Sequence, residues 1–117
     1  MCDSKPASEF IVHTTAIEAA GLAIAIVSGL PTPLRSLADQ VVRSASSVPA
    51  NLAEGAGRAG KDRAYHYRIA YGSAKEVDTH LTLLVGAGAV DRGRARVARG
   101  LFDEVRAMTW RLLHPVS

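Results

Sequence analysis

Leu34-Arg-Ser-Leu37-Ala-Asp-Gln40-Val41-Val-Arg43-Ser44-Ala45-Ser-Ser47-Val48-Pro49-Ala-Asn51-Leu52-Ala-Glu54-Gly55 interleaves two stripes. Leu34, Leu37, Val41, Ala45, Val48 and Leu52 recur at steps of three and four, which gathers them on one face of a helix. Gln40, Ser44, Ser47, Asn51 and Glu54 form a second, polar stripe with the same period. Pro49 lies within both. It removes one intrahelical hydrogen bond and crowds the carbonyl a turn earlier, which predicts a kink. Gly55 and Gly57 suit a helix end, because glycine tolerates the left-handed conformation. These features predict a helix over 33–54.

Three further segments carry the same period. In the first, over about 8–28, Phe10, His13, Ile17, Ala20, Ile24 and Val27 share a face, with Ser8 as its N-cap. Ala16, Ala19, Ala23 and Ile26 make an adjoining apolar stripe, so this helix is expected to be covered on more than one side. The turn Gly29-Leu30-Pro31-Thr32-Pro33 follows, with Thr32 placed to cap the second helix. Asp62 is the expected cap of a third helix over 62–85. Tyr67, Ala70, Ala74, Val77, Leu81 and Leu84 run along it, and its small residues favour close contact near its start. After Gly86-Ala87-Gly88, Asp91 caps a fourth helix over 92–113. Ala98, Leu101, Val105, Met108 and Leu112 form its apolar face, widened by Phe102 and Trp110, and Pro115 stops it. Gly93 and Gly100 weaken its start. Four helices with short connections predict an all-α, antiparallel up-down-up-down four-helix bundle, a single domain over 1–117.

Composition agrees. Of 117 residues, 20 are alanine and only 5% are aromatic, which suits closely packed helices better than a sandwich or barrel. The one cysteine, Cys2, excludes a disulfide scaffold. The net charge of +3 is unevenly spread. Residues 1–57 hold three basic and five acidic side chains, whereas 58–117 hold eleven basic and six acidic. The most apolar run, Ala19 to Leu30, is shorter than the roughly 20 residues a bilayer requires. A cytoplasmic protein without membrane contact is therefore expected.

The second-helix motif, followed by Arg58 and then by Ala70-Tyr-Gly72-Ser73-Ala-Lys-Glu76, resembles a known family. This is the four-helix-bundle family named after proteins encoded in intervening sequences of bacterial 23S rRNA genes. Its pattern reads roughly L-x-x-Q-x-x-R-[SA]-A-x-S-[IV]-P-x-N-[IL]-A-E-G-x-x-R, then A-x-G-S-x-x-E one helix later, with Ser47 at the family's serine. The first interhelical turn departs from it, since Leu30 to Leu37 lacks the family's aromatic residue, acid and Tyr-Gly. The resemblance implies a cytosolic bundle assembled into a ring-shaped homo-oligomer, a pentamer, with no catalytic residues to carry over. A distant relative in fold is the accessory protein of diversity-generating retroelements, which binds nucleic acid and a reverse transcriptase.

Gln40, Ser44, Asn51, Glu54, Ser73 and Glu76 admit two readings, a ligand site or an interhelical polar network. The network reading is preferred, with Asn51–Glu54 facing Ser73–Glu76 and relieving the backbone near Pro49. Glu9/His13, Asp62/His66 and Glu76/His80 are acid–histidine pairs four residues apart, which on one helix are ordinary surface pairs. Di-iron bundles use Glu-x-x-His, but Val12, Gly21, Gly57, Thr79 and Ala107 stand three residues after the glutamates. Neither metal nor cofactor is implied. No nucleophile elbow is present, and Gly55-Ala-Gly57-Arg58-Ala-Gly60-Lys61 lacks the strand and Lys-Ser/Thr ending of a phosphate loop.

Two basic clusters remain. Arg58, Lys61, Arg63 and Arg68 surround the second interhelical loop, and Arg92, Arg94, Arg96 and Arg99 open the last helix. Arg92, Arg96 and Arg99 share a face. An up-down bundle puts the two clusters at opposite ends, and a ring would repeat each into a basic belt. The expected function is that of a non-enzymatic, homo-oligomeric accessory protein binding structured RNA or DNA. The alternative is an oligomeric scaffold for another protein, with arginines serving solubility.

Overall fold

A computed structural model describes residues 4–115, with side chains from residue 8; Cys2 lies outside the described residues. Four helices follow in order: α1 (Ser4–Val27), α2 (Arg35–Ala56), α3 (Gly60–Gly86) and α4 (Arg92–Leu113). A 3-10 turn, Thr32–Leu34, precedes α2. Each helix packs on its chain neighbours, and α4 closes back on α1. The helices thus stand at the corners of a square, the up-down-up-down bundle that the short loops demand. No strand occurs among the described residues.

The heptad stripes of α2 and α3 line the centre as expected. Val41, Ala45, Val48 and Leu52 on α2 and Tyr67, Ala70, Ala74, Val77, Leu81 and Leu84 on α3 are buried. So are Ala98, Phe102 and Val105 on α4. On α1 the choice of face differs from the expectation. Val12, Ala16, Ala19, Ala23 and Ile26 are buried, together with Ala20 and Val27, while Phe10 is 70% and Ile17 53% exposed. The reason is steric: alanine lets neighbouring backbones approach, and a helix apolar on all sides turns its smallest face toward a tight centre. Trp110 likewise lies on the surface rather than widening the core.

Several caps also depart from the expectation. Because α1 begins at Ser4, Ser8 lies inside the helix. The 3-10 turn occupies Thr32, so Thr32 does not cap α2. Asp62 sits in the first turn of α3, which starts two residues earlier after Ala59. Asp91 does cap α4, its carboxylate accepting from the Arg94 N–H at 2.7 Å. The end of α3 is a Schellman motif, with Ala89 N donating to Leu84 O and Gly88 N to Val85 O. Helix α2 continues unbroken through the buried Pro49. By length and hydropathy the stretch Ser8–Val27 does suffice to cross a bilayer, unlike the shorter run Ala19 to Leu30. In the fold its alanine face is packed within the bundle.

Gly55 has a different purpose from the one expected. It lies buried inside α2, not at a left-handed end; the left-handed glycines are Gly29, Gly60 and Gly88, one in each interhelical turn. A Cβ on Gly55 would stand 2.6 Å from Tyr67 Cε1 and 3.3 Å from the Arg63 carbonyl. The absent side chain is what lets α3 lie this close to α2. Gly72 and Gly100, by contrast, face open space, and a Cβ added at either would meet nothing within 4 Å. Gly55→Ala is therefore expected to destabilise the protein by about 1–3 kcal/mol through overpacking. Gly72→Ala and Gly100→Ala should each stabilise by about 0.4–1 kcal/mol through helix propensity. Urea unfolding of the three variants checks the opposite signs.

Candidate nucleic-acid interface

The polar stripe of α2 meets α3 in a continuous ladder. Ser44 Oγ donates to Glu76 Oε1 at 3.1 Å, and Ser73 and Ser47 join hydroxyl to hydroxyl at 3.0 Å. Asn51 Nδ2 donates to the Ser47 hydroxyl at 3.0 Å and to its carbonyl at 2.9 Å. Asn51 Oδ1 lies 2.9 Å from His66 Nδ1. A carboxamide oxygen only accepts, so that ring nitrogen is the donor. Gln40 and Arg43 join Ser44, Ser47, Ser73 and Glu76 around an open groove of about 240 Å³.

The expected register is corrected by two turns. Ser73 faces Ser47 and Glu76 faces Ser44, so Asn51 reaches back to Ser47 and across to His66. Glu54 leaves the ladder for the surface, 3.7 Å from Arg58. None of the three acid–histidine pairs carries a hydrogen bond among the described residues. Glu9 turns to Tyr67 and Arg63, Asp62 to Arg58 and Glu76 to Ser44. The buried Nδ1 of His80 has no partner among the described residues. Among these residues, too, no group of three or more His, Cys, Asp or Glu side chains could hold a metal ion.

Of the basic residues around the α2–α3 turn, Arg63 points inward. Its Nε donates to the carbonyls of Arg58 at 2.8 Å and Gly55 at 3.2 Å, closing the C-terminus of α2. Its Nη1 stands 3.5 Å from Glu9 Oε2 on α1, and only 21% of the side chain is exposed. The same Glu9 oxygen accepts from Tyr67 Oη at 3.1 Å. Burial and the adjacent Glu9 carboxylate push the Tyr67 phenol up to about 12, so it remains a neutral donor at any physiological pH. Arg63 is accordingly a structural cap. Arg58 shares Glu54 and Asp62. Lys61 and Arg68 are exposed and make no ion pair among the described residues.

At the opposite end, Arg99 Nε is held by Asp78 Oδ1 at 2.7 Å. Arg92 and Arg96, one turn apart, are exposed and free of ion pairs among the described residues. The two free pairs, Lys61/Arg68 and Arg92/Arg96, start adjacent antiparallel helices of a molecule 51 Å long. Sequence reasoning misses an aromatic row on the α3–α4 face. The Trp110 and His114 rings are 3.7 Å apart, and Tyr71 lies 6.4 Å from Trp110. The one sequence signal is Trp110 and His114 four residues apart on a helix.

A small helical bundle with a serine–asparagine–glutamate ladder and charged ends is thus defined. The model of the 23S rRNA-intervening sequence protein family matches residues 8–111, and the chain belongs to that family. A crystal structure of a protein of unknown function from the S23 ribosomal protein family of Bacteroides thetaiotaomicron VPI-5482 has the same fold. Its TM-score is 0.81 at 19% identity, over 91% of this chain and 97% of that one. No curated protein matches the chain.

The ladder predicts unequal effects of two substitutions. Asn51→Leu strands His66 Nδ1 and leaves the Ser47 hydroxyl with Ser73 alone, and is expected to cost about 1–3 kcal/mol. Glu54→Leu removes only an exposed ion pair and should change stability by less than about 1 kcal/mol. Chemical denaturation of both variants checks the difference.

Proposed function

We propose that this protein is a non-enzymatic, homo-oligomeric accessory protein of the cytoplasm that binds structured RNA or DNA through its free basic side chains. It acts without metal or cofactor. The observation that carries this reading is the pair Arg92 and Arg96. Both are exposed and unpaired among the described residues in the first turns of α4, where positive charge opposes the helix dipole. A bound phosphate would relieve that local cost and accept the forked guanidinium hydrogen bonds. Lys61 and Arg68 offer the same chemistry at the other end, while Arg58, Arg63 and Arg99 serve by holding the scaffold that presents them.

Oligomerisation is supported by the uncovered apolar side chains of α1. Phe10, Ile11 and Ile17 are all more than half exposed. Burying such side chains contributes roughly 1.5–3 kcal/mol each. A five-membered ring is what the family resemblance implies, and it would repeat each arginine pair around the axis. The same apolar face favours the second reading, a scaffold for another protein with arginines serving only solubility.

Fluorescence anisotropy of labelled structured RNA and of duplex DNA, across a salt series, tests the proposal. Binding should weaken steeply with salt, and Arg92→Ala with Arg96→Ala should flatten the log–log slope by about 0.9 per lost phosphate contact on duplex. Absence of binding at low salt would overturn the nucleic-acid reading and leave the scaffold.

A further inference from the structure

We propose that the aromatic row Tyr71–Trp110–His114 is a stacking platform for unpaired nucleobases, so that the preferred target is a single-stranded segment. The inference rests on the nucleic-acid reading above and narrows it. Trp110, the chain's one tryptophan, is 52% exposed, while the buried face of α4 is made by Ala95, Ala98, Phe102, Val105 and Thr109. Its indole is not bare. The imidazole of His114 lies over it at 3.7 Å with 31° between planes, and Tyr71 extends the row from the neighbouring helix. A planar nitrogen heterocycle at that separation is arranged as a stacked base would be. His114, the C-cap of α4, is held there by two hydrogen bonds to the Trp110 carbonyl, from its ring Nδ1 at 3.0 Å and its backbone N–H at 2.9 Å.

The surroundings suit a phosphate backbone. Arg68 stands one turn before Tyr71 on α3, and Arg111 follows Trp110 on α4. The end of α4 lies beside the start of α3: Arg111, Leu112 and Pro115 share a cavity of about 450 Å³ with Gly60, Arg63 and Tyr67. The row therefore occupies the same end as Lys61 and Arg68. The exposed Phe10 borders a different groove, between α1 and α2, with Leu52 and Ala53. Ile11 borders another, between α1 and α4, with Met108 and Arg111. Neither groove is lined by Tyr71, Trp110 or His114, so a subunit contact over them leaves the row itself open. Bases within a duplex are already stacked and paired, so only unpaired ones can reach the row.

Trp110 is its own reporter. The probe is an oligouridylate of about 12 nucleotides, within the usual span of single-strand sites, compared with a duplex of equal length. The single strand should quench Trp110 emission as it binds, and the duplex should not. Trp110→Ala should weaken single-strand binding by roughly 5- to 150-fold and leave duplex binding unchanged. Trp110→Phe, which keeps a ring, should recover most of the loss. Salt-dependent binding of the strand with unchanged emission and an unaffected Trp110→Ala variant would overturn the platform while sparing the arginine reading. Failure of both strand and duplex to bind at low salt would overturn both. Emission that responds to protein concentration alone would place Trp110 in a subunit interface and overturn the platform.

Discussion

The ring of Tyr67 rests where Gly55 has no side chain, and three helices take their spacing from that contact. With only hydrogen on Gly55, α3 approaches α2 closely at the turn that joins them. The approach brings the Tyr67 hydroxyl to Glu9 on α1, and Glu9 in turn holds Arg63. Arg63 then closes the Gly55 and Ala56 carbonyls at the end of α2 and the Arg58 carbonyl in the turn after it. One glycine, one phenol and one ion pair thereby fix the α1, α2 and α3 positions at one end of the bundle. The basic loop residues Arg58 and Lys61 are carried on that joint.

The serine ladder continues the same α2–α3 contact toward the other end. Its hydroxyls and the Asn51 carboxamide are small, so they satisfy one another without forcing the helices apart. A partly buried polar seam of this kind specifies register, because sliding by one turn would leave several groups without partners. The motif that marks the family thus reads, in this chain, as the device that keeps α2 and α3 in one alignment. The side chains of Gln40 and Arg43 border the seam and make no hydrogen bond or ion pair among the described residues, leaving them lining the groove.

Much of this is legible in the sequence where one residue type has one plausible role. Asp91 before a periodic run reads directly as a cap, and the heptads of α2 and α3 read largely as core, whereas on α4 Ala98 and Val105 are buried but Leu101, Met108 and Leu112 only partly, the core position going to Phe102. Helix α1 misleads because it is apolar on nearly every side, so periodicity alone offers two equivalent faces. The packing resolves them by size, taking the alanines inward and leaving Phe10 and Ile17 outside. The polar ladder is foreseeable from its stripe, but its register is not, since that depends on how tightly the α2–α3 turn closes. Arg63 looks like its surface neighbours in the sequence; only the carbonyls of another helix end distinguish it. The aromatic row is hidden for a similar reason, being assembled from two helices.

This arrangement separates the basic residues into those that build and those that present. Arg63 and Arg99 are engaged in holding helices together, whereas Lys61, Arg68, Arg92 and Arg96 extend into solvent. The presentation of Lys61 and Arg68, on the helix that carries Arg63 and Tyr67, depends on the joint at Glu9 acting as a unit. A double-mutant cycle with Tyr67→Phe and Arg63→Met, read by equilibrium unfolding, tests that dependence most directly. If Glu9 couples the two side chains, the double variant will depart from additivity by at least about 0.5 kcal/mol. Strict additivity would mean that Tyr67 and Arg63 act independently, and would contradict the account of a single joint.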